Sequence, residues 1–206
     1  MPIFNIPLEN IPFRHKPVLD NTVWFLGCDK VYGRGAGDDQ TAPHILEKLT
    51  GIAVDNLGVV SASNQFIIDL IETLLQNHTP KAVIIGLAHM QNRYTVVDNN
   101  PIFMGRFLDD GVWDELDEIY IVNDQAVSQY KADLVSGLVD RENQAARIYL
   151  AKMRFTVPVF FFTYYDQLMT VTGWPDFALD GSMGPGPQCQ QQIAEILAPW
   201  VTANCR

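Results

Sequence analysis

Thr22-Val23-Trp24-Phe25-Leu26-Gly27-Cys28-Asp29 decides the fold: an unbroken apolar run stops at a glycine and a polar turn follows. A short run without polar alternation reads as a strand buried on both faces. The pattern returns at Ile52-Ala53-Val54-Asp55-Asn56-Leu57, ending at Gly58, and at Ala82-Val83-Ile84-Ile85, ending at Gly86. Pro43 through Leu49 lies between the first two and reads as a short helix, with Thr41 as N-cap, Pro43 in the first turn and Gly51 as its stop. Asn64 through Leu75 lies between the second and third and places Phe66, Ile67, Leu70, Ile71 and Leu74 on one helical stripe. Strand, helix, strand, helix, strand predicts an α/β fold with a parallel sheet and crossover helices.

The later chain continues the pattern. Val157 to Phe162 reads as another buried strand. Ala126 through Met153 reads as one long helix or two, with Val127, Tyr130, Leu134, Leu138, Tyr149 and Met153 as core candidates, and Gln188 through Val201 as a closing helix interrupted near Pro199. Residues 88–122, with Asn99-Asn100-Pro101, Asp109-Asp110-Gly111 and Trp113, read as an extended loop region over the carboxyl edge of the sheet. Residues 1–20 form an extended apolar arm ahead of a single domain, 21–206. Pro2, Pro7, Pro12 and Pro17 forbid a regular helix there, while Ile3, Phe4, Ile6, Leu8, Ile11 and Phe13 are apolar. Such an arm either straps onto its own domain or docks on a neighbouring subunit. The expected partner contact, to another protein or to a second copy of the chain, runs through this arm.

Composition narrows the function. The chain has 206 residues, 48% hydrophobic and 18% charged, which is too apolar for a disordered segment. Its net charge of −10 and scattered basic residues argue against a nucleic-acid partner. No stretch approaches the roughly 18 apolar residues of a membrane span, and the N-terminus lacks the features of a secretory signal. A cytoplasmic or virion-associated protein fits both observations. Cys28, Cys189 and Cys205 are too few and too far apart for a disulfide framework or a metal ligand set. They read as free thiols, Cys28 buried and Cys205 exposed, and no metal or cofactor is expected.

Ligands of an open parallel sheet bind beyond the carboxyl ends of its strands. Four segments are expected there: Gly27-Cys28-Asp29, Gly58-Val59-Val60-Ser61, Gly86-Leu87-Ala88-His89, and Asp180-Gly181-Ser182-Met183-Gly184-Pro185-Gly186-Pro187. In this order they resemble the four sequence blocks of the SGNH (GDSL-type) hydrolase family. The first block extends through Gly33-Arg34-Gly35, and the second is Asn56-Leu57-Gly58. The resemblance spans residues 22–200 and implies a three-layer, flavodoxin-like fold with helices on both faces of the sheet.

The resemblance also implies acyl transfer by a serine, a histidine and an aspartate, with backbone N–H groups and an asparagine binding the oxyanion. Transferred residue by residue, it fails at three positions. Asp29 stands at the nucleophile, Ala88 at the asparagine and Met183 at the histidine, while Gly58 and Asp180 remain. A carboxylate is a poor nucleophile toward an ordinary ester, and a thioether cannot act as a base. The expectation is a catalytically degenerate member acting as a structural or interaction subunit, for example of a phage or cell-surface assembly. Two alternatives stand beside it. One is an esterase or carbohydrate O-deacetylase rebuilt around Asp29, His89 and Asp180. The other is a module that binds a glycan or ester ligand in the old pocket, where Tyr164, Tyr165, Trp174 and Trp113 could stack on a sugar.

Overall fold

The structure, a computed structural model, describes residues 6–88, 93–97, 99–104, 155–163, 177–178 and 186–205. In chain order it contains β1 (Val23–Gly27), α1 (Asp29–Tyr32), α2 (Ala42–Thr50), β2 (Val54–Gly58), α3 (Asn64–Leu74) and β3 (Ala82–Leu87). These are followed by β4 (Arg93–Val97), β5 (Asn100–Met104), β6 (Val159–Thr163), β7 (Phe177–Ala178) and α4 (Pro187–Asn204). The main sheet is parallel and ordered β2-β1-β3-β6-β7. This is the doubly wound, flavodoxin-like arrangement.

The strand order follows from handedness. Right-handed crossovers put α2 and α3 on opposite faces, because the chain moves outward from β1 to β2 and then back across β1 to β3. Both faces are therefore covered, which is why β1 and β3, inside the sheet, are apolar without alternation. Trp24, Leu26, Val83 and Ile85 pack with the Phe66, Ile67, Leu70, Ile71 and Leu74 stripe of α3. Val23, Phe25, Ala82 and Ile84 pack with Leu46 of α2 and with Ile193, Leu197 and Val201 of α4. An isolated helix of 11 residues is marginal in water. Burying five large side chains, each worth about 1.5–3 kcal/mol, is what holds α3.

Residues 6–19 pack on this core. Ile6, Ile11 and Leu19 are buried in the α3-side cluster, and Leu8 and Phe13 pack against it. The Asp55 carboxylate accepts from Val18 N (2.9 Å), Leu19 N (2.7 Å) and Thr22 Oγ1 (2.6 Å), and Trp24 Nε1 donates to the Leu19 carbonyl at 2.7 Å. These bonds hold Leu19 at a left-handed φ of 75°. Arg14 donates to the carbonyls of Tyr32, Gly33 and Ala36 and pairs with Asp38 at 2.7 Å. Arg14 thus supplies a cap for the end of α1.

Four expectations need correction. Within 88–122, residues 93–104 form an antiparallel hairpin, β4 with β5, turning at Asn99 with φ 61°. Tyr94 and Phe103 stack edge-on against Phe66 of α3, and Pro101 is tolerated because a two-stranded sheet has free edges. α4 runs unbroken past Pro199, whose ring lies on the exposed side while Leu197 and Val201 stay buried. Cys205 is buried, with its backbone N–H bonded to the Val201 carbonyl. Thr41 occupies the N-cap of α2, but its side chain does not cap. The buried Gln190 does so instead, accepting from Ala42 N at 2.7 Å and donating to the Lys30 carbonyl at 2.6 Å. The long helix expected over 126–153 lies outside the described residues.

The glycines ending β1, β2 and β3 surround α1. A Cβ on Gly27 would lie 2.4 Å from Val31 Cγ2, one on Gly86 2.9 Å from the same atom, and one on Gly58 2.4 Å from the backbone N of Tyr32. Gly58→Ala therefore pushes against backbone and should cost about 3 kcal/mol. Gly51→Ala meets open space and carries only the strain of a left-handed φ of 69°, about 1 kcal/mol. Urea unfolding of the two variants checks this order, and equal losses would refute the packing account.

Candidate functional site

In this strand order the switch point lies between β1 and β3, whose following connections run to opposite sides. A ligand crevice belongs there. Asp29 opens α1 two residues after β1 ends, and Ala88 directly follows β3. A cleft of about 370 Å3 lies elsewhere, at the outer edge of β2 beside Lys16, His44 and Asn56. Its Asp38 and Asp55 are already bonded to Arg14 and to residues 18–22, so the switch point is the stronger candidate.

Asp29 is partly buried, and both its carboxylate oxygens have partners. Oδ2 accepts the backbone N–H of Ser61 at 3.1 Å, and Oδ1 faces Arg34 NH1 at 3.6 Å. The first bond spans two loops, from the end of β1 to the turn after β2. Asp29 therefore does more than accept from its own turn, the simplest role for an Asp at a strand end. Ser61 adopts φ 56°, a left-handed conformation costly for a residue with a Cβ. The bond to Asp29 helps to hold it there.

The other two described site residues are also engaged. The Gly58 N–H donates to Asn56 Oδ1 at 3.0 Å, a local turn in which an Asn side chain satisfies the backbone two residues on. Asn56 Nδ2 in turn reaches the Tyr32 carbonyl at 3.4 Å. Ala88 is gripped at both backbone groups by the buried Asn64. Its N donates to Asn64 Oδ1 at 2.7 Å, and its carbonyl accepts from Nδ2 at 3.1 Å. The structure thus brings Asp29, Gly58 and Ala88 to one edge of the sheet. His89, Asp180 and Met183 lie outside the described residues, as do Ser182, Trp113, Tyr164, Tyr165 and Trp174.

Reasoning from sequence placed Arg34, Asn56 and Ser61 in the segments expected at this edge but gave their side chains and N–H groups no role, and it missed Asn64 altogether. Arg34 stands between Gly33 and Gly35, both of which take left-handed φ. Asn64 looks like an ordinary first residue of a helix, and its partner is 24 residues away.

No family model matches the chain, and no curated protein matches it. Among solved structures it is similar to one from Desulfitobacterium hafniense DCB-2, assigned to the G-D-S-L family of lipolytic proteins. That match has 14% identity and a TM-score of 0.42, covering 87% of this chain and 99% of the other. The parallel sheet and its order stand on the hydrogen bonding of this chain alone.

Among the described residues, no three His, Cys, Asp or Glu side chains are grouped to hold a metal ion, and no helix is long and apolar enough to cross a membrane. Cys28, beside Asp29, is a poor nucleophile. Burial, reinforced by the Asp29 charge, pushes its thiol up to about 12. Burial raises Cys189 and Cys205 as well.

Native protein at pH 8 should leave all three thiols unmodified by iodoacetamide, with all three reacting in guanidinium. Because these pKa values are raised by folding, their contribution is intact below pH 9 and stability should fall as pH rises from there toward 12. Asp29→Ala should lose about 1–3 kcal/mol by orphaning the Ser61 N–H. Asp29→Asn keeps a carbonyl oxygen as acceptor and should lose less, and urea midpoints for the two variants test that order.

Proposed function

We propose that this chain is a catalytically degenerate SGNH hydrolase-like domain serving as a structural or interaction subunit. One observation carries the reading. At the position where the resembled family has its nucleophile, the Asp29 carboxylate is held by the Ser61 N–H and the Arg34 guanidinium. A carboxylate is a poor nucleophile toward an ordinary ester, and its attack would form a mixed anhydride more reactive than the ester itself. The oxyanion side supports the same reading. The Gly58 N–H already donates to Asn56, and Ala88 offers no side-chain donor. Loss of both nucleophile and base leaves roughly 10³–10⁴-fold residual catalysis in hydrolases where it has been measured, and that residue depends on an intact oxyanion site.

The test is initial-rate hydrolysis of p-nitrophenyl acetate and of an acetylated sugar by wild type and Asp29→Ala in parallel. Both proteins should run at the buffer blank. Turnover by wild type that disappears in Asp29→Ala would overturn the reading and favour an esterase or O-deacetylase rebuilt around Asp29, His89 and Asp180.

A further inference from the structure

Two arginines flank the one-turn helix α1, and they are used differently. Arg14 is 14% exposed, and four of its five N–H donors go to three carbonyls and Asp38. Arg34 is 40% exposed, and among the described residues its side chain makes one ion pair, to Asp29 at 3.6 Å. That separation is long beside the roughly 2.7–2.9 Å of a well-formed charged hydrogen bond. The backbone beneath Arg34 is nevertheless fixed. Gly33 N and Arg34 N both donate to the Asp29 carbonyl, at 3.1 and 3.0 Å, closing α1 with a left-handed glycine. The result is an anchored main chain carrying a lightly held guanidinium, beside Asp29 at the switch point of the sheet.

We propose that Arg34 is the recognition residue of a ligand site in this crevice, and that the ligand presents a carboxylate. The planar fork of an arginine binds a carboxylate through two parallel N–H bonds, and among the described residues the Arg34 guanidinium is set against Asp29 alone. A phosphate fits the same fork but brings up to twice the charge against Asp29 and against a chain of net charge −10. The singly charged group is therefore favoured. Asp29 acts as a stand-in anion: it holds Arg34 loosely until a ligand carboxylate with better geometry replaces it. The site rests on the reading of Asp29 as an acceptor and not a nucleophile.

The experiment is an NMR titration following the Arg34 Nε–H resonance in the full chain. Galacturonate and N-acetylglycine present the carboxylate from a sugar and from a peptide end. Galactose, N-acetylglycinamide and inorganic phosphate are the comparison arms. At least one carboxylate should give a saturable shift, its neutral counterpart none, and phosphate should bind more weakly. Arg34→Gln should weaken binding about tenfold or more. Asp29→Asn should tighten it about threefold, because the competing charge is gone. Unfolding curves for both variants confirm that they are folded. No saturable shift with either carboxylate, tighter binding of phosphate, unchanged affinity in Arg34→Gln, or weaker binding in Asp29→Asn would each overturn the proposal. Hydrolysis is a separate signal, so a failed titration leaves the non-catalytic reading standing, and turnover alongside normal carboxylate binding would remove that reading alone.

Discussion

The side chain of Val31 sits where the carboxyl ends of β1 and β3 meet, and the architecture of this edge depends on how little room it has. Gly27 and Gly86 each face its Cγ2 closely, and Gly58 lies against the backbone of α1 itself. Any side chain at these strand ends would lift α1 off the sheet. With α1 seated, its C-terminal carbonyls come within reach of Arg14 and Asn56, and its first residue, Asp29, reaches the turn after β2. A close steric contact thus determines which polar groups can meet. The hydrogen bonds then fix loops that apolar packing alone would leave loose.

The same seating explains why residues 6–19 belong with the domain. Arg14 closes the end of α1, and Asp55 accepts two backbone N–H groups from the segment just before β1. A buried carboxylate with three donors is stable only while all three remain in place, since removing partners from a buried charge is costly. Asp55 and Arg14 therefore tie this segment to the sheet from two directions. Ile6, Ile11 and Leu19 add an apolar layer on the face that α3 also covers.

Much of the fold was legible because its signal is local. Apolar runs ending at Gly27, Gly58 and Gly86, alternating with helical stripes, specify a parallel sheet without reference to distant contacts. The hairpin at 93–104 was not legible, because Asn99, Asn100 and Pro101 are loop-forming residues and the strands around them are held by Tyr94 and Phe103 against Phe66. Pro199 misled for a related reason: a proline breaks a helix when its neighbours have no other support, and here α4 is held by Leu197 and Val201 on its buried side. At the candidate site, Asp29, Gly58 and Ala88 were legible as positions, but their bonding was not. Ser61, Asn64 and Gln190 act through partners 32, 24 and 148 residues away. No spacing rule reaches that far.

This division bears on what the family-like blocks report. Their glycines answer to packing around α1, and that demand is the same whether or not the site performs chemistry. Gly27, Gly58 and Gly86 would be required by any sequence that seats a side chain like Val31 at this edge. They inform on the fold and are silent on catalysis. The informative positions are those where packing leaves a choice of side chain. At position 29 a serine would offer a hydroxyl to the crevice, whereas aspartate offers two acceptors and a charge. In this chain that charge is bonded to the turn after β2 on one oxygen and set against Arg34 on the other. The first bond gives the side chain a structural task, holding Ser61 in a conformation it would otherwise avoid. The second sets a partly exposed guanidinium beside that carboxylate at the carboxyl edge of the sheet. Because seating α1 constrains the glycines and not position 29, the side chain there can take on a different task without disturbing the sheet beneath it.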